Sequence, residues 1–99
     1  MAYSLKLEPL AKLDIQQEID YYNSIQNGLG KRFYKEVKSA FQSIKKNPFY
    51  QIRYDQIHCV PLKNFPSMIH FTVDEINKVV VIRAVINTNQ NPDKTYLKI

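Results

Sequence analysis

Along this chain the spacing of hydrophobic residues switches from two to between three and four, and later back to two. Tyr3, Leu5 and Leu7 alternate with Ser4, Lys6 and Glu8, which predicts a short half-buried strand. Pro9, lacking the N–H that a strand ladder uses, ends it. From Leu10 to about Gln26 the apolar residues Ala11, Ile15, Ile19 and Tyr22 recur at the spacing of an amphipathic helix. Lys12, Asp14, Gln16, Gln17, Glu18 and Asp20 fill the remaining positions and are expected mostly in solvent. Asn27-Gly28 closes that helix, because glycine accepts the left-handed conformation that a helix end favours. A second helix is predicted from Leu29-Gly30 to about Lys46, with Phe33, Val37, Ala40, Phe41 and Ile44 as its stripe. Lys45 and Lys46 complement the negative end of its dipole, and Asn47-Pro48 terminates it. Helices joined by so short a turn should lie as an antiparallel hairpin.

Beyond Pro48 the period returns to two. Tyr50, Ile52 and Tyr54 alternate with Gln51, Arg53 and Asp55; a further strand is expected over Ile57 to Lys63, and another opens after Pro66. Val79 to Asn87 is the last strand, with Val80, Ile82, Ala84 and Ile86 expected as one apolar face. If Ile69, Phe71 and Val73 share the buried face with Val80, Ile82 and Ala84, the turn centres between Ile76 and Asn77. Phe71 then lies opposite Ile82 and His70 opposite Arg83, with Arg83 and Asn87 both on the outer face. The whole reads as an α+β fold of order β-α-α-β-β-β. A helical hairpin packs on one face of a small antiparallel sheet whose other face is partly open.

Composition narrows the class. Ninety-nine residues make one domain, 1–99, and 44% hydrophobic with 23% charged residues is ordinary for a globular chain. Lys and Arg outnumber Asp and Glu by 14 to 9, a net charge of +5. A basic surface favours encounters with nucleic acid, anionic membranes or an acidic partner. Cys59 is the single cysteine, so no intrachain disulfide is possible. The N-terminus has no signal-peptide core, and the apolar run Val79 to Ile86 is interrupted by Arg83 and too short to span a bilayer. A cytoplasmic location, with no membrane association, is expected.

Four segments in this order resemble the RelE/ParE superfamily of toxins: LAKLDIQQEIDYYNSIQNGLGKRF, FQSIKKNPFYQIRYD, VPLKNFPSMIHFTVDE and VVVIRAVINTNQNPDK. The resemblance covers Leu5 to about Lys94. It implies the toxin half of a type II toxin–antitoxin pair, silenced by a cognate antitoxin in a hetero-oligomer. It further implies that the target is either DNA gyrase or messenger RNA on the ribosome.

Metal-independent RNA cleavage needs groups that activate the 2′-hydroxyl, stabilise the phosphorane and protonate the leaving oxygen. Where relatives often carry His at the end of the last strand this chain has Asn87, and where they carry Arg just beyond it has Gln90. Neither amide is an acid or base near neutral pH. The resemblance therefore points toward a gyrase-poison-like, ParE-type binder, with Arg83, Asn87 and Lys63 as target contacts. The alternatives are a RelE-type endoribonuclease using His70, Arg83 and Arg53, with Tyr96 in the tail, and a degenerate member that only binds its antitoxin. A charged Arg83 among valines must reach solvent or a partner, and its guanidinium suits bidentate binding of phosphate or carboxylate. His58, His70 and Cys59 match no zinc-ligand pattern, so neither a metal nor another cofactor is expected. Adjacent strand residues point to opposite faces, which argues against a His58–Cys59 nucleophilic pair. The Gly28-Leu29-Gly30 turn is explained by helix packing, without a phosphate loop. Tyr21, Tyr22, Tyr34, Tyr50 and Tyr54 have the faces to stack nucleobases, but tyrosines at helical spacing are more often core.

Overall fold

A computed structural model of the protein describes residues 3–49, 52–54 and 56–87. The elements are β1 (Ser4–Leu7), α1 (Pro9–Ile25), α2 (Leu29–Lys46), β2 (Ile52–Tyr54), β3 (Ile57–Pro61), β4 (Ser67–Asp74) and β5 (Val79–Asn87). The expected order β-α-α-β-β-β is the observed one. Pro9 both ends the strand and opens α1, where its missing N–H is one that a first helical turn leaves unused. Gly28 sits at φ 88°, the left-handed conformation that lets the chain reverse between the helices. Gly30 is needed for a different reason. Its N–H bonds Asn23 Oδ1 at 2.9 Å, and a Cβ there would stand against the Ile19 carbonyl oxygen and 2.7 Å from Asn23 Cγ. The absent side chain is what lets α2 start so close to α1.

The sheet has five strands in the order β1-β5-β4-β3-β2. Pairings among β2 to β5 are antiparallel as expected, but β1 lies parallel to β5, from Ser4 against Val79 to Leu7 against Ile82. The sheet is therefore mixed. Alternation along β1 predicts its half-burial but carries no sign of its neighbour. The strand that follows the helical hairpin, β2, goes to the far edge of the sheet, and β5 pairs with β1 through bonds such as Glu8 N–H to Ile82 O, 3.0 Å.

One face of the sheet meets the helices. Ala11, Ile15 and Tyr22 of α1, with Phe33, Val37, Phe41 and Ile44 of α2, close over Ile69, Phe71, Val80, Ile82 and Val85. Phe71 does stand opposite Ile82, and the turn occupies residues 75–78. Past that point the expected register fails. A bulge lies between His70 and Phe71, so that His70 pairs with Ala84 and Ile69 with Val85, while Arg83 is left over. One extra residue reverses the parity of a strand. Val80 and Ile82 face the helices before the bulge and Val85 faces them after it. Ala84 and Ile86, expected to continue the apolar face of Val80 and Ile82, are instead on the other side, where they are also buried.

Candidate functional site

The site is organised by that bulge. Without a partner residue, Arg83 turns to the outer face and is exposed, and its Nε donates to Thr72 Oγ1 at 3.2 Å. Its Nη1 meets Glu8 Oε1 at 3.1 Å, an ion pair whose side chains remain 46% and 35% exposed. Lys6, across β5 on the same outer face, is exposed beside them. The guanidinium is thus aimed by two oxygens while its remaining N–H groups have access to solvent.

The bulge also frees a backbone donor, and α1 answers it. Val85 N–H donates to Asp14 Oδ2 at 3.1 Å, with Asp14 only 5% exposed. One turn along, Glu18 is as deeply buried and accepts from Ser67 Oγ at 2.6 Å and Asn87 Nδ2 at 3.4 Å. Asn87 Nδ2 also donates to Tyr22 Oη at 2.8 Å. Asp14 and Glu18 were expected in solvent, and Asn87 on the outer face beside Arg83; both expectations are corrected. Ala11, Asp14, Ile15, Glu18 and Tyr22 occupy one helical face, so the two acids lie on the buried stripe itself. That continuity was the available signal. What the sequence lacked was any sign that donors waited opposite. Burial is the main cause that raises the Tyr22 phenol above 10.0; the charge of Glu18 adds to it, and together they outweigh hydrogen bonds from Ser67 and Asn87.

His70 was expected on the outer face opposite Arg83. It is on that side of the sheet but buried, opposite Ala84, with Nδ1 3.1 Å from Cys59 Sγ. His58 and Cys59 do diverge, His58 stacking on Phe71 at 5.5 Å between ring centroids. Cys59 nonetheless finds a histidine, the one across the β3–β4 pair, which only the register reveals. Lys63 is exposed on the β3–β4 connection, beside α2 and apart from the bulge. Arg53 belongs to β2, its side chain outside the described residues; Gln90 and Tyr96 lie outside them altogether. No group of three or more His, Cys, Asp or Glu that could hold a metal ion occurs among the described residues. None of the described helices is long and apolar enough to cross a membrane.

Neither a protein-family model nor a curated protein matches this sequence. Solved structures do match. One from the chromosomal ParDE TA system of P. aeruginosa superposes with a TM-score of 0.75 at 15% identity, covering 87% of this chain and 96% of its own. The chain has the RelE/ParE toxin fold. The intact E. coli RelBE toxin–antitoxin complex matches at TM-score 0.66 and 16% identity, over 85% of this chain and 94% of that one. The Mycobacterium tuberculosis RelBE2 complex matches at 0.65 and 15%, over 88% and 99%. RelE/ParE-fold neighbours of both kinds are thus toxins from toxin–antitoxin systems, and at these identities the likeness is one of fold.

Proposed function

We propose that this chain is the cytoplasmic toxin of a type II toxin–antitoxin pair, neutralised by a cognate antitoxin in a hetero-oligomer, and that it acts by binding DNA gyrase. The fold of the neighbours supports the toxin class. The observation that carries the binding mode is the bulge. It presents Arg83 outward, oriented by Thr72 and Glu8 and open to a carboxylate or phosphate. Asn87, at the place where the resemblance expects a histidine, is an amide buried against Tyr22 and Glu18. His70 is buried as well. Binding requires no exposed acid–base pair, whereas RNA cleavage does. For the antitoxin, α1 leaves Leu10, Leu13 and Ile25 exposed at 46%, 53% and 57%, an apolar stripe of the kind a protein partner covers.

Induced expression should arrest growth with DNA-damage signalling, and the purified protein should inhibit gyrase supercoiling while leaving ribosome-bound message intact. Arg83→Ala should fold normally and lose that inhibition. Codon-specific cuts in ribosome-bound message by the pure protein would establish the ribonuclease reading instead. In that case His70→Ala should lower cleavage by about two to four orders of magnitude. No growth arrest at all would favour a chain that only binds its antitoxin.

A further inference from the structure

The cations of this chain are not spread evenly over it. α2 holds Lys31, Arg32, Lys35, Lys38, Lys45 and Lys46 against one acid, Glu36, so this helix by itself carries a net charge of +5, the figure for all 99 residues. Phe33, Val37, Phe41 and Ile44 face the sheet, and the opposite side of the helix is polar. There Lys31, Lys35, Lys38, Gln42 and Lys46 follow one another at steps of four, three, four and four, all exposed. At 1.5 Å per residue they form one line about 22 Å long. Glu36 is off that line. It is turned to the flank, where its two carboxylate oxygens accept Asn64 N–H at 2.8 Å and Asn64 Nδ2 at 2.9 Å. The ion pair among the described residues is Arg83–Glu8, so no described carboxylate neutralises the line.

This arrangement works against the helix itself. Like charges three and four residues apart repel. Lys31 and Arg32 also stand in the first turn, which holds no acidic residue and where the helix dipole is positive. A solvated face serves solubility with both signs interspersed. Here one sign runs the length of the helix, and an anion lying along it would relieve both repulsions. Three classes of polyanion compete for that place. An anionic membrane needs apolar residues to insert, but the apolar face of α2 is packed on the sheet. A protein interface centres on aromatic and apolar residues and is poor in lysine, the reverse of this line. A single-stranded nucleic acid needs exposed rings on which its bases stack. The exposed ring of α2, Tyr34, has Lys38 Nζ over it at 4.8 Å from the centroid. A duplex backbone remains, dense in charge and needing no stacking. Its B form also fits the shape. A helix about 10–12 Å across matches a major groove about 12 Å wide, whereas the major groove of A-form RNA is narrow and closed to side chains.

We propose that the outer face of α2 binds duplex DNA without sequence selection, lying along the major groove with Lys31, Lys35, Lys38 and Lys46 on the bordering phosphates. Gln42, Ser39 and Ser43, exposed beside them, add neutral hydrogen bonds to phosphate oxygens. Arg83 is on the opposite side of the sheet, so a duplex held here leaves that surface open. The inference goes beyond the toxin reading and does not depend on which target the chain has.

Fluorescence anisotropy of a labelled 20-base-pair DNA, titrated with the full chain at low salt, tests it. Four phosphate contacts should give a log–log salt dependence with a slope of roughly −3 to −4. The single strands, and an RNA duplex of the same sequence, should bind on the order of tenfold more weakly. Lys31→Gln/Lys35→Gln/Lys38→Gln/Lys46→Gln should lose at least about tenfold in affinity and most of the slope. Its melting temperature should not fall, because the substitutions remove like-charged neighbours. Each single change should reduce the slope by about one, which keeps the test sharp if the fourfold variant folds poorly. Arg83→Ala should leave DNA affinity within about twofold. Equal binding of single strands or of duplex RNA, a slope unchanged in the lysine variants, or a loss that follows Arg83 instead would each overturn the proposal. A chain that arrests growth but binds no duplex would sink this inference alone. One that binds the duplex through α2 without arresting growth would leave it standing and remove the toxin reading.

Discussion

Asp14 is worth more than its place on a helix surface implies, because it accepts the one backbone donor that the bulge beside Arg83 turns toward α1. Asp14→Ala would leave Val85 N–H buried without its acceptor, and should destabilise the fold by about 1–3 kcal/mol. Asp14→Asn keeps an oxygen in place and should recover most of that loss. Melting curves measure the first effect, and hydrogen exchange at the Val85 amide reads the second directly. Equal exchange in wild type and Asp14→Ala would show that the carboxylate does not hold the bulge. Arg83→Ala should behave in the opposite way. Its ion pair with Glu8 is solvent-exposed, and such pairs contribute about 0–1 kcal/mol. Stability should barely change, while the gyrase inhibition proposed above should be lost. A large fall in melting temperature would make Arg83 a structural residue, and Asp14 its support for that reason only.

Among the elements, the helical hairpin depends on Gly30. Gly30→Ala would place a methyl group against the Ile19 carbonyl, a backbone atom that moves only if the helices part. We expect a loss of about 1–3 kcal/mol, the usual scale of overpacking, even though alanine has the higher helix propensity. A neutral or stabilised Gly30→Ala would mean that α1 and α2 are farther apart than described. The helix–sheet contact is probed by Phe41→Ala and Ile82→Ala, each expected to cost about 2–5 kcal/mol. Ile82 has no exposed surface and Phe41 retains 8%, so the isoleucine should fall higher in its range. Unchanged melting in both would reverse the assignment of the buried faces.

For the whole molecule, the buried network at the end of β5 ties stability to alkaline pH. The Tyr22 phenol ionises near 10 in the unfolded chain and at a higher pH in the folded one, where burial and Glu18 oppose its charge. Between those values the folded chain binds more protons, so stability falls as pH rises. It is fully present below about pH 10 and is lost as pH climbs through the folded value. The melting temperature of wild type should therefore decline more steeply above about pH 10 than that of Tyr22→Phe, which has no phenol to ionise. Parallel declines would show that Tyr22 does not carry this linkage. The same network joins α1 to both central strands, with Glu18 meeting Ser67 on β4 and Asn87 on β5.

Element order was legible in the sequence because burial on one side imposes a period on each segment. Four-residue steps such as Ala11 to Ile15, two-residue steps such as Ile69 to Phe71, and the punctuation of Pro9, Gly28 and Pro48 are local properties. They placed the helices within a residue or so and found both ends of β5. Phe71 was paired with Ile82 for the same reason, since the turn between them is short. The candidate site was legible only in its residue types. Arg83 announced itself as a charge among valines, but its neighbours depended on a bulge, and an inserted residue is invisible until two strands are paired. That single residue moved His70 opposite Ala84, turned Asn87 inward, and created the donor that buries Asp14. The parallel partner of β1 and the meeting of Cys59 with His70 are likewise facts of pairing across distant segments. Periodicity reports that a face is buried, whereas only the folded chain decides against what.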